Sequence, residues 1–241
     1  MVSRNKSKKN VSQEGYGTIN FYDIVPKKYL GASIHCKEEK KMNIKLPSRF
    51  IVVGASGSCK TNWLMNFITL VDSFDRVTLY AKDTDETLYA FLIDALKACR
   101  IQHEVFNDLS EVIPTSEYDP NKNNLVIFDD FNNASKKELE PIKDIYTMGR
   151  KKGITAVYIA QTYYNVPKVV RGNNNYLVIF KIQDEMDLKS VIRGNSLGIG
   201  LERALEMLEY VRSLGDRHFL LIDKATSNPQ LKYRVDWGVK K

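Results

Sequence analysis

Residues 49–61 read RFIVVGASGSCKT, and this stretch decides the fold. Phe50 to Val53 is a short apolar run rich in β-branched residues. Gly54-Ala55-Ser56-Gly57-Ser58-Cys59-Lys60-Thr61 follows it, and Trp63, Leu64, Phe67 and Ile68 then recur at helical spacing. A buried strand, a turn of small residues ending in Lys-Thr and a helix, in that order, form the context in which a phosphate-binding loop has physical meaning. Main-chain amides in such a turn converge on a phosphate, and the helix dipole adds to the attraction.

On this reading Gly54, Ala55, Ser56, Gly57, Ser58, Cys59, Lys60, Thr61 and Asn62 line bound ATP. Lys60 reaches the β- and γ-phosphates, and the Thr61 hydroxyl is a ligand to Mg2+. One position departs from the pattern G-x-x-x-x-G-K-[ST]: Cys59 stands where the second glycine belongs. Glycine lets the backbone approach phosphate closely, so the Cys59 side chain must point away from the nucleotide or tighten the pocket. Cys59 is read as inert packing in preference to an oxidation-sensitive thiol.

Outward from the loop, short β-branched runs alternate with longer helical ones, which is the signature of an α/β domain with a mainly parallel central sheet flanked by helices. Strands are expected at Phe50 to Val53, Arg76 to Tyr80, Leu125 to Phe128, Thr155 to Ala160 and Tyr176 to Lys181, with an edge strand at His218 to Ile222. Helices are expected at Lys60 to Leu70, Thr84 to Cys99, Lys136 to Met148 and Gly200 to Leu214. In the second helix Leu88, Phe91, Leu92 and Ala95 form one apolar stripe for the sheet. Residues 107–124, rich in Pro, Asn, Asp and Ser, read as a loop. Residues 1–48 read as a basic arm, disordered over about the first 15 residues, ahead of an ATPase domain at 49–241.

Asn124 to Asp130 is an apolar run ending in two carboxylates. Neighbours on a strand point to opposite sides, so Asp129 and Asp130 are expected to divide the work. Asp129 would hold Mg2+ through water, and Asp130 would orient or deprotonate the attacking water. Gln161 closes the next strand, where a neutral amide can sense the γ-phosphate. Arg150 and then Arg171 are the candidates for a positive group donated to a neighbour's transition state.

Composition narrows the classes. The chain holds 36 Lys and Arg against 29 acids; 11 against 4 fall in residues 1–50, which leaves 25 against 25 thereafter. The whole positive surplus therefore lies ahead of the phosphate loop, and the arm is suited either to a polyanion such as DNA or to solvation. Cys36, Cys59 and Cys99 are too few and too scattered for a disulfide framework or a zinc site. The longest apolar runs fall far short of the roughly 20 residues that span a bilayer. The N-terminus has no apolar segment of the secretory kind, so an intracellular, soluble protein is expected.

Taken together, the phosphate loop, the Asp129-Asp130 pair, the Gly149-Arg150 turn and the Ala160-Gln161 strand end resemble the genome-packaging ATPases of the HerA/FtsK superfamily, the poxvirus-type enzymes of large DNA viruses, virophages and double-jelly-roll viruses. The resemblance runs from about Arg49 to Lys181. It implies a RecA-like ASCE P-loop NTPase core that assembles as a homo-oligomeric ring, pentameric or hexameric. It also implies threading of double-stranded DNA into a preformed capsid and a capsid or portal-vertex partner. The setting would be host cytoplasm, viral factory or virion, and a finger at Arg150 would act in trans. The competing classes are a cellular HerA-type translocase or helicase, a small-molecule kinase, and a nucleotide-dependent scaffold that does not hydrolyse.

Overall fold

The computed structural model describes residues 37–131, 134–182, 184–195 and 199–238. Most of the 1–48 arm therefore lies outside the described residues. Its last part, β1 (Lys37–Glu39) and β2 (Ile44–Leu46), is an antiparallel hairpin that buries Met42 and Ile44. The remaining strands are β3 (Arg49–Val53), β4 (Arg76–Ala81), β5 (Gln102–Phe106), β6 (Asn124–Asp129), β7 (Ile154–Ala160), β8 (Tyr176–Ile179), β9 (Leu220–Asp223) and β10 (Tyr233–Val235). The helices are α1 (Lys60–Val71), α2 (Thr87–Ala98), α3 (Lys136–Met148), α4 (Lys168–Asn173), α5 (Glu185–Asn195) and α6 (Leu201–Ser213).

Among the described residues, eight strands form one sheet in the order β10-β9-β8-β3-β7-β6-β4-β5. The six strands from β8 to β5 are parallel, and β9 and β10 add on antiparallel. The mainly parallel α/β sheet expected from sequence is thus observed.

Both faces are covered, which is why the central strands read as continuous apolar runs. Phe50, Val52, Leu125 and Ile127 face α1, α2 and the β1–β2 hairpin. Ile51, Val53, Val126 and Phe128 face the opposite way, towards α3 to α6. On the buried side of α1, Trp63 and Phe67 pack with Phe50 and Trp237 at ring-centre distances of 5.0 to 6.1 Å, so the helix is seated by a tight aromatic cluster.

Several expectations are corrected. The α2 stripe is shifted: Tyr89, Leu92 and Leu96 are buried, whereas Phe91 is 64% exposed. Strand β9 lies one place in from the edge, because β10 pairs outside it. Strand β5 is the true edge at the other end and was not anticipated; its sequence QHEVF is largely polar, and an edge strand need not be apolar. It is held by Glu104, which pairs with Arg76 at 3.0 Å and accepts from Thr78. The 107–124 loop contains two single turns of 3-10 helix, Leu109–Glu111 and Thr115–Glu117. Helices α4 and α5 fill the gap between β7 and β9 that the sequence left unassigned.

One ion pair joins the two C-terminal strands, and its arginine also ties them to the hairpin. Arg234 lies 3.1 Å from Asp223, with both side chains under 5% exposed, and also donates to the Met42 carbonyl. Removing one member leaves the other charge buried without compensation. Arg234→Ala is therefore expected to lower the unfolding free energy by about 3 to 5 kcal/mol. Phe91→Ser, at the solvent-facing position, should stay within about 0.5 kcal/mol of wild type. Urea denaturation of both variants checks the pair and the corrected helix register together.

Candidate functional site

Three neighbouring strand ends build the site. Strand β7 lies between β3 and β6, with Val53 opposite Ala160 and Asp129 opposite Ile159. The turn after β3, Gln161 after β7 and the Asp129-Asp130 end of β6 therefore meet at one height on the carboxyl edge of the sheet, where ligands of open α/β sheets bind. They enclose a cleft of about 440 Å³, bordered by residues 56–62, Glu86, Leu88, Asp129, Asp130, Ala160 and Gln161.

The loop's shape follows from its small residues. A Cβ at Gly54 would lie 2.5 Å from Ser58 Oγ and 2.7 Å from Phe180 Cβ, and Gly57 has φ +73°. Gly54 leaves no room for a Cβ, whereas at Gly57 the space is open and a side chain would strain only the backbone. Cys59 also takes a left-handed conformation, φ +67°, which explains why glycine is usual there and costs about 1 to 2 kcal/mol for a residue with a Cβ. Its side chain packs against the core cluster under α1, in agreement with the packing reading.

Cys59 is also the N-cap of α1, and its side chain makes no capping hydrogen bond. The first amides of a helix have no partner within it, so α1 presents donors and a partial positive charge to the cleft. By contrast, α3 opens with a full capping box between Ser135 and Glu138. Ser58 Oγ is buried without a hydrogen-bond partner at the turn. Lys60 Nζ donates to the carbonyls of Gly54 at 2.7 Å and Ala55 at 2.9 Å. Burial pulls the ammonium below its ordinary pKa, while Asp129, Asp130 and Glu86 pull it back up. An uncapped helix end, an orphaned hydroxyl and a dehydrated ammonium together fit a polyphosphate.

The two carboxylates do not point to opposite sides. Strand β6 ends at Asp129, and the chain turns at Asp130 with φ +61°, so both acids border the same cleft. The alternation rule holds only while the strand continues. Their surroundings still differ. Asp129 accepts a 2.5 Å hydrogen bond from the Tyr89 hydroxyl, and Asp130 accepts one from Gln161 Nε2 at 3.4 Å. Burial raises the Asp129 pKa to about 6; the Tyr89 bond and Lys60 oppose that rise, and the Asp130 charge adds to it.

Sequence reasoning missed Glu86, which borders the cleft, and Tyr89, which is buried behind Asp129. Tyr89 and Glu86 belong to α2 and its N-cap, the segment that follows β4, and β4 neighbours β6. The available signal was the spacing Tyr89, Leu92, Leu96, a helical stripe in its own right that puts the phenol on the sheet side.

The arginines lie elsewhere. Arg150 is exposed in the 3-10 turn Gly149–Lys152 ahead of β7, at the end of the sheet opposite the cleft. Arg171, in α4 ahead of β8, is half-buried with its guanidinium 5.5 Å from the centre of the Tyr163 ring. Neither borders the cleft of its own chain. Among the described residues no group of three or more His, Cys, Asp or Glu is placed to hold a metal ion, and no helix is long and apolar enough to cross a membrane. Mg2+ is commonly held by one or two carboxylates together with substrate phosphates and waters, so Thr61 and Asp129 suffice as protein ligands.

A family model described as Poxvirus A32 protein matches residues 37–235. The DNA packaging protein OPG160 of Vaccinia virus (strain Copenhagen) is 23% identical over 203 residues, covering 78% of this chain and 74% of that protein. Among solved structures, the genome packaging NTPase B204 from Sulfolobus turreted icosahedral virus 2, in complex with AMP, aligns with a TM-score of 0.55 at 15% identity, over 80% of this chain and 98% of its own. B204, the DNA-packaging ATPase from Sulfolobus Turreted Icosahedral Virus, gives 0.54 at 13% identity over the same shares. At these identities the structural likeness shows a shared fold.

The raised carboxyl of Asp129 has a consequence for the nucleotide-free protein. A folded pKa above the unfolded one means stability present at low pH that is lost as pH rises from about 4 through 6. Asp129→Asn removes that loss while keeping an acceptor for Tyr89. Without nucleotide the variant is expected to exceed wild type at pH 7 by on the order of 1 to 3 kcal/mol, with the difference shrinking towards pH 4. Urea unfolding at several pH values checks this, and parallel pH curves for the two proteins would contradict it.

Proposed function

The chain belongs to the poxvirus A32 protein family, and from that premise and the geometry of the cleft we propose that it is an ATP-hydrolysing motor that packages a viral genome as double-stranded DNA. The observation that carries the reading is the meeting of three strand ends at one cleft, bringing Lys60, Thr61, Asp129, Asp130 and Gln161 together. That set has a separate group for each task of phosphoryl transfer to water.

The amides of the turn and of the first turn of α1 hold the β-phosphate, and Lys60 neutralises the β- and γ-phosphate oxygens. To do so the ammonium exchanges its two carbonyl acceptors for phosphate. Thr61, and Asp129 through water, would hold Mg2+, which supplies charge neutralisation across the same oxygens. Asp130 accepts the proton of the attacking water as it adds to the γ-phosphorus and the bond to the β-γ bridging oxygen breaks. Gln161, hydrogen-bonded to Asp130, orients that water and registers whether the γ-phosphate is present.

A positive group from a neighbouring subunit completes the charge balance. Strand β7 separates Arg150 from the cleft by seven residues, about 20 Å at roughly 3.3 Å per residue. Arg150 therefore serves a neighbour's cleft, in a closed ring of identical subunits through which the DNA passes. Arg171 is the second candidate for the same role. Lys151, Lys152, Lys168 and the basic residues ahead of β1 would contact the phosphates of DNA. A capsid component at the portal vertex is the remaining partner, and the viral factory and virion are the corresponding places of action.

Steady-state ATP hydrolysis with and without duplex DNA tests the motor. Wild type is expected to turn over faster with DNA. Lys60→Ala should lose nucleotide binding or turnover, and Asp130→Asn should bind ATP yet hydrolyse it about 10² to 10⁴ times more slowly, the usual contribution of a general base. Mixed inactive Arg150→Ala and Lys60→Ala proteins should recover part of the activity. Turnover that needs a small-molecule acceptor and ignores DNA would contradict the reading.

A further inference from the structure

We propose that Tyr89 is a positioning residue for Mg2+, fixing the Asp129 carboxylate that the proposed nucleotide site turns towards the ion; the inference rests on that reading of the cleft. The phenol is fully buried on α2. Its hydroxyl donates to Asp129 Oδ2 at 2.5 Å, across 40 residues of sequence. Asp129 ends β6, so one phenol ties α2 to the strand that supplies the carboxylate ligand.

The chemistry favours a fixed donor at this place. Mg2+ demands near-ideal octahedral geometry and tolerates little ligand wandering. An aspartate at a strand end can rotate its carboxyl group and present either oxygen. With Oδ2 occupied by Tyr89, the other oxygen is the one left for water or metal. A phenol suits the task because it is neutral and offers a single donor on a rigid ring. The ring itself is part of the packed face of α2 with Leu92 and Leu96, so the hydroxyl is held by the core and does not depend on a mobile surface chain. Glu86, at the N-cap of the same helix, also borders the cleft, and the docking of α2 thereby sets two polar groups at once.

Tyr89→Phe removes one oxygen and keeps the ring, and binding of a fluorescent ADP analogue to the full chain, titrated with Mg2+, reads its effect apart from turnover. The Mg-free affinity is expected to stay within about twofold of wild type, because no phosphate contact is touched. The Mg2+ concentration giving half of the metal-dependent gain should rise about 10- to 100-fold, the usual effect of losing a group that orients a metal ligand. Leu92→Ala loosens the same helix without touching the hydroxyl and should leave the Mg2+ midpoint unchanged. An unchanged midpoint in folded Tyr89→Phe, or an equal shift in Leu92→Ala, overturns the proposal. Wild type offers a second measurement that needs no variant. Adding Mg2+ to the nucleotide-bound protein should perturb the ultraviolet absorption of a buried tyrosine as its acceptor takes up the metal, and a flat tyrosine difference spectrum also overturns the proposal. Failure of wild type to bind the analogue at all would instead remove the nucleotide site itself.

Discussion

The structure depends on a helix that begins without a cap. Helix α1 presents its first amides to the cleft, and the residue that would ordinarily satisfy one of them, Cys59, takes a left-handed conformation and turns its side chain to packing. The electrostatic field at that end is therefore directed at whatever occupies the turn. Such an end is unfavourable in isolation, so it must be held by packing elsewhere. The aromatic cluster of Phe50, Trp63, Phe67 and Trp237 does this, and Trp237 is fixed by the β10 strand that the Arg234–Asp223 pair anchors. The far C-terminal residues thus support a loop nearly 180 residues away in sequence.

The opposite requirement falls on the acidic side of the cleft. Asp129 is buried enough for its carboxyl to resist ionisation, and Asp130 is turned out of the strand to share the same space. Two carboxylates and one ammonium leave this side of the cleft with an excess of negative charge, which attracts a divalent cation. Lys60 stands beside these acids and donates to the Gly54 and Ala55 carbonyls.

Much of the fold was legible in the sequence because the central strands are covered on both faces and so read as unbroken apolar runs. The strand ends β3, β6 and β7 were found to within a residue, and the turn, the acidic pair and Gln161 were located by their place after those runs. What was missed shares a physical cause. Strand β5 lies at an edge and is stabilised by Glu104 and Arg76, not by apolar residues. Helix α5 buries Asp187 and Asn195, which hold the chain after β7 through hydrogen bonds, so its buried face is partly polar and does not read as an apolar stripe. The α2 stripe was displaced because Leu88, Phe91, Leu92 and Ala95 fit a helical period as well as Tyr89, Leu92 and Leu96 do. Composition does not tell the two apart, and the displaced reading hid the phenol behind Asp129. The opposed carboxylates failed at Asp130, where a turn ends the alternation that the rule assumes.

The most direct test of the central claim is a crystal structure of the protein with Mg2+ and a slowly hydrolysed ATP analogue. The account predicts the β-phosphate at the mouth of α1, with Lys60 Nζ moved from the Gly54 and Ala55 carbonyls onto phosphate oxygens and the metal beside Thr61. A nucleotide seated elsewhere, with the ammonium still on those carbonyls, would contradict it.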